Sequence, residues 1–161
     1  PNIKFIENPA YNEANNISSA MCVRYLLNNA YVCEGDILLH NPKIIQKYQY
    51  KSNYCGIKCD RTDDWCLFEN KGRITGYAVG GENCHQMMGI SYWTEEDGRK
   101  LGDCIKKVYE MPGGKERYWD QVALDYFVED FDIAIRECSF DDFIEIDTFN
   151  ELKAIDKSYD V

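Results

Sequence analysis

The chain has 161 residues, 45% hydrophobic and 14% aromatic, and its 28 acidic against 18 basic residues leave a formal charge of −10. Such a length and apolar share belong to one folded domain with a true core and exclude a disordered polypeptide. The acidic balance, without a Lys/Arg-rich run, argues against a nucleic-acid partner, and no apolar stretch is long enough for membrane insertion.

In chain order, Ile3-Lys4-Phe5-Ile6 reads as a strand and Asn8-Pro9-Ala10-Tyr11-Asn12 as a turn. Asn15-Asn16 caps a helix carrying Ser19, Val23, Leu26 and Leu27, closed by Asn28-Asn29. Ala30-Tyr31-Val32-Cys33 is a short apolar strand ending at Glu34-Gly35-Asp36, and Pro42 opens a second helix through Ile44, Ile45 and Tyr48. Strands are expected over 54–58, 65–69, 73–79 and 86–92, broken at Asn70-Lys71-Gly72 and Gly80-Gly81-Glu82-Asn83. Thr94 caps a helix with Leu101, Ile105 and Val108 on one face, and Pro112-Gly113-Gly114 breaks it. A helix over 118–127, strands over 133–138 and 143–146, and a helix over 148–157 follow. This order predicts a three-layer α/β/α mixed sheet with an antiparallel β excursion, in a single domain over 1–161 without repeats or linkers.

The eight cysteines, several inside apolar runs such as Met21-Cys22-Val23, read as buried reduced thiols. With no signal peptide at the start of the chain, the expected location is the cytoplasm. Cys55-x-x-x-Cys59 and the later Cys84-His85 lack the paired spacing of a zinc site.

Chemistry gathers at acids and aromatics. The three tryptophans stand in acidic or aromatic settings: Asp63-Asp64-Trp65, Ser91-Tyr92-Trp93 and Tyr118-Trp119-Asp120. Aromatic faces beside carboxylates suit a quaternary ammonium, which offers no hydrogen-bond donor. Trp65 and Trp93 fall at strand ends, whereas helical spacing also lets Trp119 pack with Val122, Ala123 and Tyr126 while Asp120 points elsewhere. Asp36 and Asp147 each follow a strand, where α/β sheets collect ligands, and two such carboxylates with water and phosphate oxygens match how Mg²⁺ is held. Gly35 before Asp36 allows a phosphate or metal close to the backbone. The histidines number two, which leaves little for histidine acid–base chemistry.

Taken in order, Asn8-x-x-Tyr11, Asn15-Asn16 with Ser19, Tyr31-Val32-x-Glu34-Gly35-Asp36, Asp64-Trp65, Gly89-Ile90-Ser91-Tyr92-Trp93, Tyr118-Trp119-Asp120 and Glu145-Ile146-Asp147 resemble the bacterial CTP:phosphocholine cytidylyltransferases. The resemblance implies an incomplete nucleotidyltransferase (Rossmann-like) fold and transfer of CMP from CTP to phosphocholine. CDP-choline and pyrophosphate would be the products. It implies Mg²⁺ on the catalytic residues Asp36 and Asp147, and amine contacts from Trp65, Trp93, Tyr118, Trp119 and Asp120. Asn16, Ser19 and Gly35 would lie near the nucleotide. The family's glycine-rich triphosphate loop has no counterpart ahead of Asn8, and Glu34 stands where an aspartate is usual. The resemblance therefore implies a C-terminal portion of the domain, inactive alone, with an uncovered sheet edge open to self-association. Alternatives are the same chemistry on 2-aminoethylphosphonate or phosphoethanolamine, and a non-catalytic quaternary-amine module. A primary ammonium would favour carboxylates over rings.

Overall fold

The computed structural model describes residues 2–160. Helix α1 (Ile17–Val23) runs into a 3₁₀ turn, Arg24–Leu26, and leads to β1 (Ala30–Cys33) and β2 (Ile37–Leu39). Two long strands, β3 (Asn53–Asn70) and β4 (Arg73–Trp93), form a hairpin. Then come α2 (Glu95–Glu110), a π-helical turn at Val122–Tyr126, β5 (Ala134–Glu137), β6 (Phe143–Glu145) and α3 (Phe149–Ile155).

The main sheet has the order β1-β4-β3-β5, antiparallel except for the β3–β5 pair. This mixed sheet is the one expected. The four separate middle strands prove to be two, because β3 and β4 bend and keep pairing through the expected breaks. The register slips between Thr62 and Trp65, opposite Gly80, which carries a positive φ of 75°. Such slips re-aim side chains without ending the ladder.

One face of the sheet is covered by α1, α2 and the turn before β5. There Ile17, Leu101, Ile105 and Val108 pack against Tyr54, Trp93 and Phe131. Thr94 caps α2 by accepting from the Asp97 N–H, as its sequence suggests. Gly98 and Gly102 let α2 lie directly on the backbone of Leu27–Asn28 and Arg24, where a Cβ would collide.

The opposite face differs from the three-layer expectation. Ile44, Cys55, Ile57, Met88, Ile90 and Phe143 form a second cluster under the β2–β6 ribbon. The expected helix from Pro42 is a single 3₁₀ turn, Pro42–Ile44, because Ile45 is already extended and Tyr48 faces solvent at 69% exposure. Over 3–6 no strand forms; Ile3 and Phe5 are exposed and have no sheet partner. The helix expected over 118–127 shortens to the π turn, which buries Val122, Ala123 and Leu124 together. All eight cysteines are free thiols. Among the described residues no helix is long and apolar enough to cross a membrane.

Candidate active site

Three carboxylates converge where β1 ends. Glu34, Asp36 and Glu145 each place an oxygen within 4.8 Å of the others, the single such group of potential metal ligands among the described residues. The backbone brings them together. Ile37 pairs with Glu145 in the β2–β6 ladder, and the Ile146 N–H extends it by donating to the Asp36 carbonyl at 2.9 Å. Glu34 is held by its N–H to the Gly89 carbonyl at 2.8 Å, and its carboxylate lies where a side chain on residue 89 would stand. Gly89 is therefore required by Glu34, through space and not through torsional freedom.

Crowded like charges show in the acidities. Burial, then the charges of Asp120, Asp36 and Asp64, push Glu34 up to about 7. Burial, then Asp147, Asp64, Asp36 and Glu34, raise Glu145. The cluster thus holds uncompensated negative charge on oxygen donors alone, which is the chemistry of a hard divalent cation.

Beside it lies a cavity of about 170 Å³, lined by Asn16, Glu34, Asp64, Trp65, Met87, Gly89, Tyr118, Asp120 and Glu145. None of these described lining residues is basic. Trp65 stacks on Tyr77 with centroids 5.0 Å apart and 9° between planes, and meets Tyr118 edge-on at 5.3 Å. Gln121 braces both tyrosines: its Nε2 donates to the Tyr77 hydroxyl at 2.7 Å, and its Oε1 accepts from the Tyr118 N–H at 3.0 Å. Asp64 accepts from its neighbour's N–H (Trp65, 2.7 Å) and from Gln86 Nε2 (3.3 Å). Asp120 is 5% exposed and accepts from the Tyr54 hydroxyl at 2.7 Å. Burial pushes it up to about 6, against the lowering effect of that hydrogen bond. Four carboxylates and two aromatic rings around one small cavity are groups that can receive an organic cation.

A second cavity of about 390 Å³ shares Asn16 and Glu34 with the first and is lined by Ser19, Val23, Leu27, Val32, Gly35 and Trp119 among others. All three residues expected near the nucleotide, Asn16, Ser19 and Gly35, border it. Asn16 also ties the two cavities together, since its Oδ1 accepts from the Trp119 N–H at 2.8 Å.

Of the residues expected to meet the amine, Trp65, Tyr118 and Asp120 line the smaller cavity together. Trp93 does not; it is 0% exposed, with its indole N–H donated to Ser91 Oγ at 3.0 Å and edges against Tyr54, Trp119 and Phe131. It ends a strand, as read, but α2 folds back over that end. Trp119 is 7% exposed and stacks on Tyr54, so its ring belongs to the core and borders the larger cavity alone. Asp147 stands outside the carboxylate triplet. Strand β6 ends at Glu145, and the Asp147 and Thr148 N–H groups both donate to the Glu151 carboxylate that caps α3, so the member of the triplet from this strand is Glu145. Sequence reasoning did not place Glu34, Asp64 or Glu145 among the site residues, although each sits inside a motif that it used. The tyrosines Tyr54 and Tyr77 carried no local signal.

No protein-family profile matches the chain. It is 29% identical over 163 aligned positions to the 2-aminoethylphosphonate cytidylyltransferase of Lancefieldella rimae, covering 99% of this chain and 66% of that protein. To the choline-phosphate cytidylyltransferase of Haemophilus influenzae it is 24% identical, covering 91% of this chain and 64% of the relative. The chain therefore spans about two thirds of the length of the curated relatives it matches. In structure it superposes on the CTP:phosphocholine cytidylyltransferase of Streptococcus pneumoniae with a TM-score of 0.80 at 23% identity, over 94% of this chain and 66% of that one. A putative glucose-1-phosphate thymidylyltransferase of Bacillus anthracis shares the fold more loosely, at a TM-score of 0.61 and 11% identity, over 91% of this chain and 62% of that one. The chain is thus similar along nearly its whole length to two bacterial cytidylyltransferases, and it shares the fold of a third.

Proposed function

We propose that this chain is the acceptor-substrate part of a cytidylyltransferase that acts on a short aminoalkyl phosphate or phosphonate. A phosphorus oxyanion of the acceptor attacks the α-phosphorus of CTP. A new P–O bond forms as the α–β P–O bond breaks, and pyrophosphate leaves. The attacking oxygen is already anionic at neutral pH, so no protein nucleophile and no general base is required. Binding and orientation are what remain for the chain to supply.

The observation that carries this reading is the contact between two unlike sites: a cation pocket of carboxylates and rings, opening directly onto an oxygen-donor cluster. An aminoalkyl phosphate has the same two ends, a few bonds apart. Glu34, Asp36 and Glu145 would hold a divalent cation such as Mg²⁺. When bound, that ion supplies neutralisation of the phosphate charge that this acidic chain would otherwise repel. Asp64 and Asp120 hold the ammonium, and Trp65 and Tyr118 exclude water from it. Asn16 stands between the two cavities, and the larger one, bordered by Ser19 and Gly35, would receive part of the nucleotide.

Between head groups, the pocket favours a primary ammonium, as in 2-aminoethylphosphonate. It offers the Asp64 and Asp120 carboxylates as acceptors for N–H donors, while Trp93 and Trp119 have withdrawn into the core. Phosphocholine is the second reading, favoured by the two aromatic rings, Trp65 and Tyr118, that line the same cavity. The test is pyrophosphate release by the full-length protein with CTP, Mg²⁺ and each of 2-aminoethylphosphonate, phosphoethanolamine and phosphocholine. The expected result is the highest kcat/KM with a primary amine. A reversed order gives the site to phosphocholine, and no CTP-dependent release with any of the three would overturn the reading.

A further inference from the structure

Asp120 is unusual among the pocket acids because one of its oxygens is already engaged from within the core. The Tyr54 hydroxyl donates to Oδ1 at 2.7 Å, and both residues are buried. Burial, and then the charge of Asp120, raise the Tyr54 phenol well above its usual pKa, so it remains a donor at every working pH. The ring cannot swing away. It is stacked on Trp119 at 6.2 Å and met edge-on by Trp93 at 5.9 Å. Ser91 faces Tyr54 directly across the β3–β4 ladder, and the Trp93 indole N–H holds the Ser91 hydroxyl at 3.0 Å. Asp120 itself sits on a turn, between exposed Tyr118 and the π-helical segment, and the Tyr54 hydroxyl is the side-chain donor that reaches its carboxylate.

We infer that Tyr54 is a positioning residue, which fixes the Asp120 carboxylate with one oxygen turned to the core and the other to the amine pocket, and that the buried Trp93–Ser91 pair serves the amine by holding Tyr54 in place. The inference rests on the amine-site reading and deepens it. It turns three core side chains into determinants of charge recognition, and it gives the Trp93 indole a part in amine binding without any contact to the amine. The energetic reason is that a buried carboxylate interacts strongly with a cation when its dipoles are set in advance, and weakly when it must reorganise.

The test compares ligand pairs that differ in charge but not in shape. In full-length protein, the affinities of 2-aminoethylphosphonate and n-propylphosphonate are measured, and likewise those of phosphocholine and 3,3-dimethylbutyl phosphate. Tyr54→Phe, which keeps the ring, should lower the affinity for the ammonium-bearing member about tenfold, the scale of a lost hydrogen bond to a charged group, and leave the member with the uncharged alkyl head unchanged. In an Asp120→Asn background the same Tyr54→Phe change should have no effect on the charge preference. Equal losses for both members of a pair would mean a packing role and overturn the inference, as would an unchanged charge preference. A second readout needs no ligand: the Tyr54 hydroxyl proton should resonate far downfield and move upfield in Asp120→Asn. A proton indifferent to that substitution overturns the Tyr54–Asp120 link itself. Wild-type protein that shows the downfield proton but prefers neither cationic ligand overturns the amine-site reading instead.

Discussion

Asp64-Trp65 and Trp119-Asp120 are the same two residues in opposite order; both acids line the smaller cavity, but of the two rings only Trp65 does. At the first pair the ring lines the cavity and the acid is exposed; at the second the ring is core and the acid is buried. The difference lies in what covers each segment. Residues 64 and 65 lie on the bent outer arm of the β3–β4 hairpin, past the reach of α2, so Trp65 finds partners only in Tyr77 and Tyr118. Trp119 sits beneath the layer formed by α1 and α2, against Tyr54 and Trp93, and its backbone N–H is held by Asn16. A tryptophan beside an aspartate therefore means one thing at an uncovered edge and another under a helix layer.

Substitution of the rings would sharpen this contrast most. Trp93→Ala and Trp119→Ala should each lower stability by about 3–5 kcal/mol, the cost of emptying a core aromatic site. Trp65→Ala should cost far less. Chemical denaturation measures all three, and equal losses would dissolve the distinction between the two pairs.

The carboxylate cluster comes next. Asp36→Asn and Glu145→Gln in the full-length protein should each reduce turnover by about 10² or more at saturating Mg²⁺, with smaller effects on amine affinity. Asp147→Asn should fall well below both, since its segment belongs to the α3 cap. Steady-state pyrophosphate release separates the cases, and an Asp147 variant as impaired as Asp36→Asn would return Asp147 to the metal site.

Stability should also follow pH in an unusual direction. Glu34 lies at about 7 in the fold against an ordinary 4.5, and Asp120 at about 6 against 3.8. Within those windows the folded chain keeps protons that the unfolded chain has released, so stability falls as pH rises from about 4 to 7. Thermal unfolding should show a higher Tm at pH 5 than at pH 8, flattened in Glu34→Gln and partly recovered at pH 8 by a divalent cation. A Tm that rises with pH would remove the like-charge account of the cluster.

The smallest expected effect is on the amine itself. Trp65→Ala should weaken binding of a quaternary ammonium by about 0.5–2 kcal/mol and a primary ammonium by less. Isothermal titration with phosphocholine and 2-aminoethylphosphonate reads the difference, and a larger loss for the primary amine would reverse the roles assigned to ring and carboxylate.

Much of the frame was legible from residues alone. Thr94 announced α2, a helix was expected from residue 148 where α3 lies, and the short apolar run Ala30–Cys33 announced β1. These signals are local, written in caps and periodicity within a few residues. The long bent hairpin was less legible, because Gly80-Gly81-Glu82-Asn83 reads as a turn although the strand continues through it, with the positive φ of Gly80 at a register slip. The helix expected from Pro42 failed for a related reason: a few apolar residues at helical spacing do not make a helix when no neighbouring face covers them.

The sequence by itself determined the chemistry available: an acidic, aromatic-rich chain with carboxylates at strand ends, tryptophans beside aspartates, and an ordered set of motifs close to those of cytidylyltransferases. Only the tertiary structure decided which of those groups meet. Glu145 joins Asp36 because the β2–β6 ladder pairs their backbones, whereas Asp147, two residues on, is claimed by a helix cap. Trp93 and Trp119 are withdrawn from the smaller cavity into the core beneath α2, and Asp120 lines that cavity while Tyr54, 66 residues away in the chain, reaches it from the core. Burial and cross-strand pairing are set by contacts distant in sequence, and no local spacing of residue types encodes them.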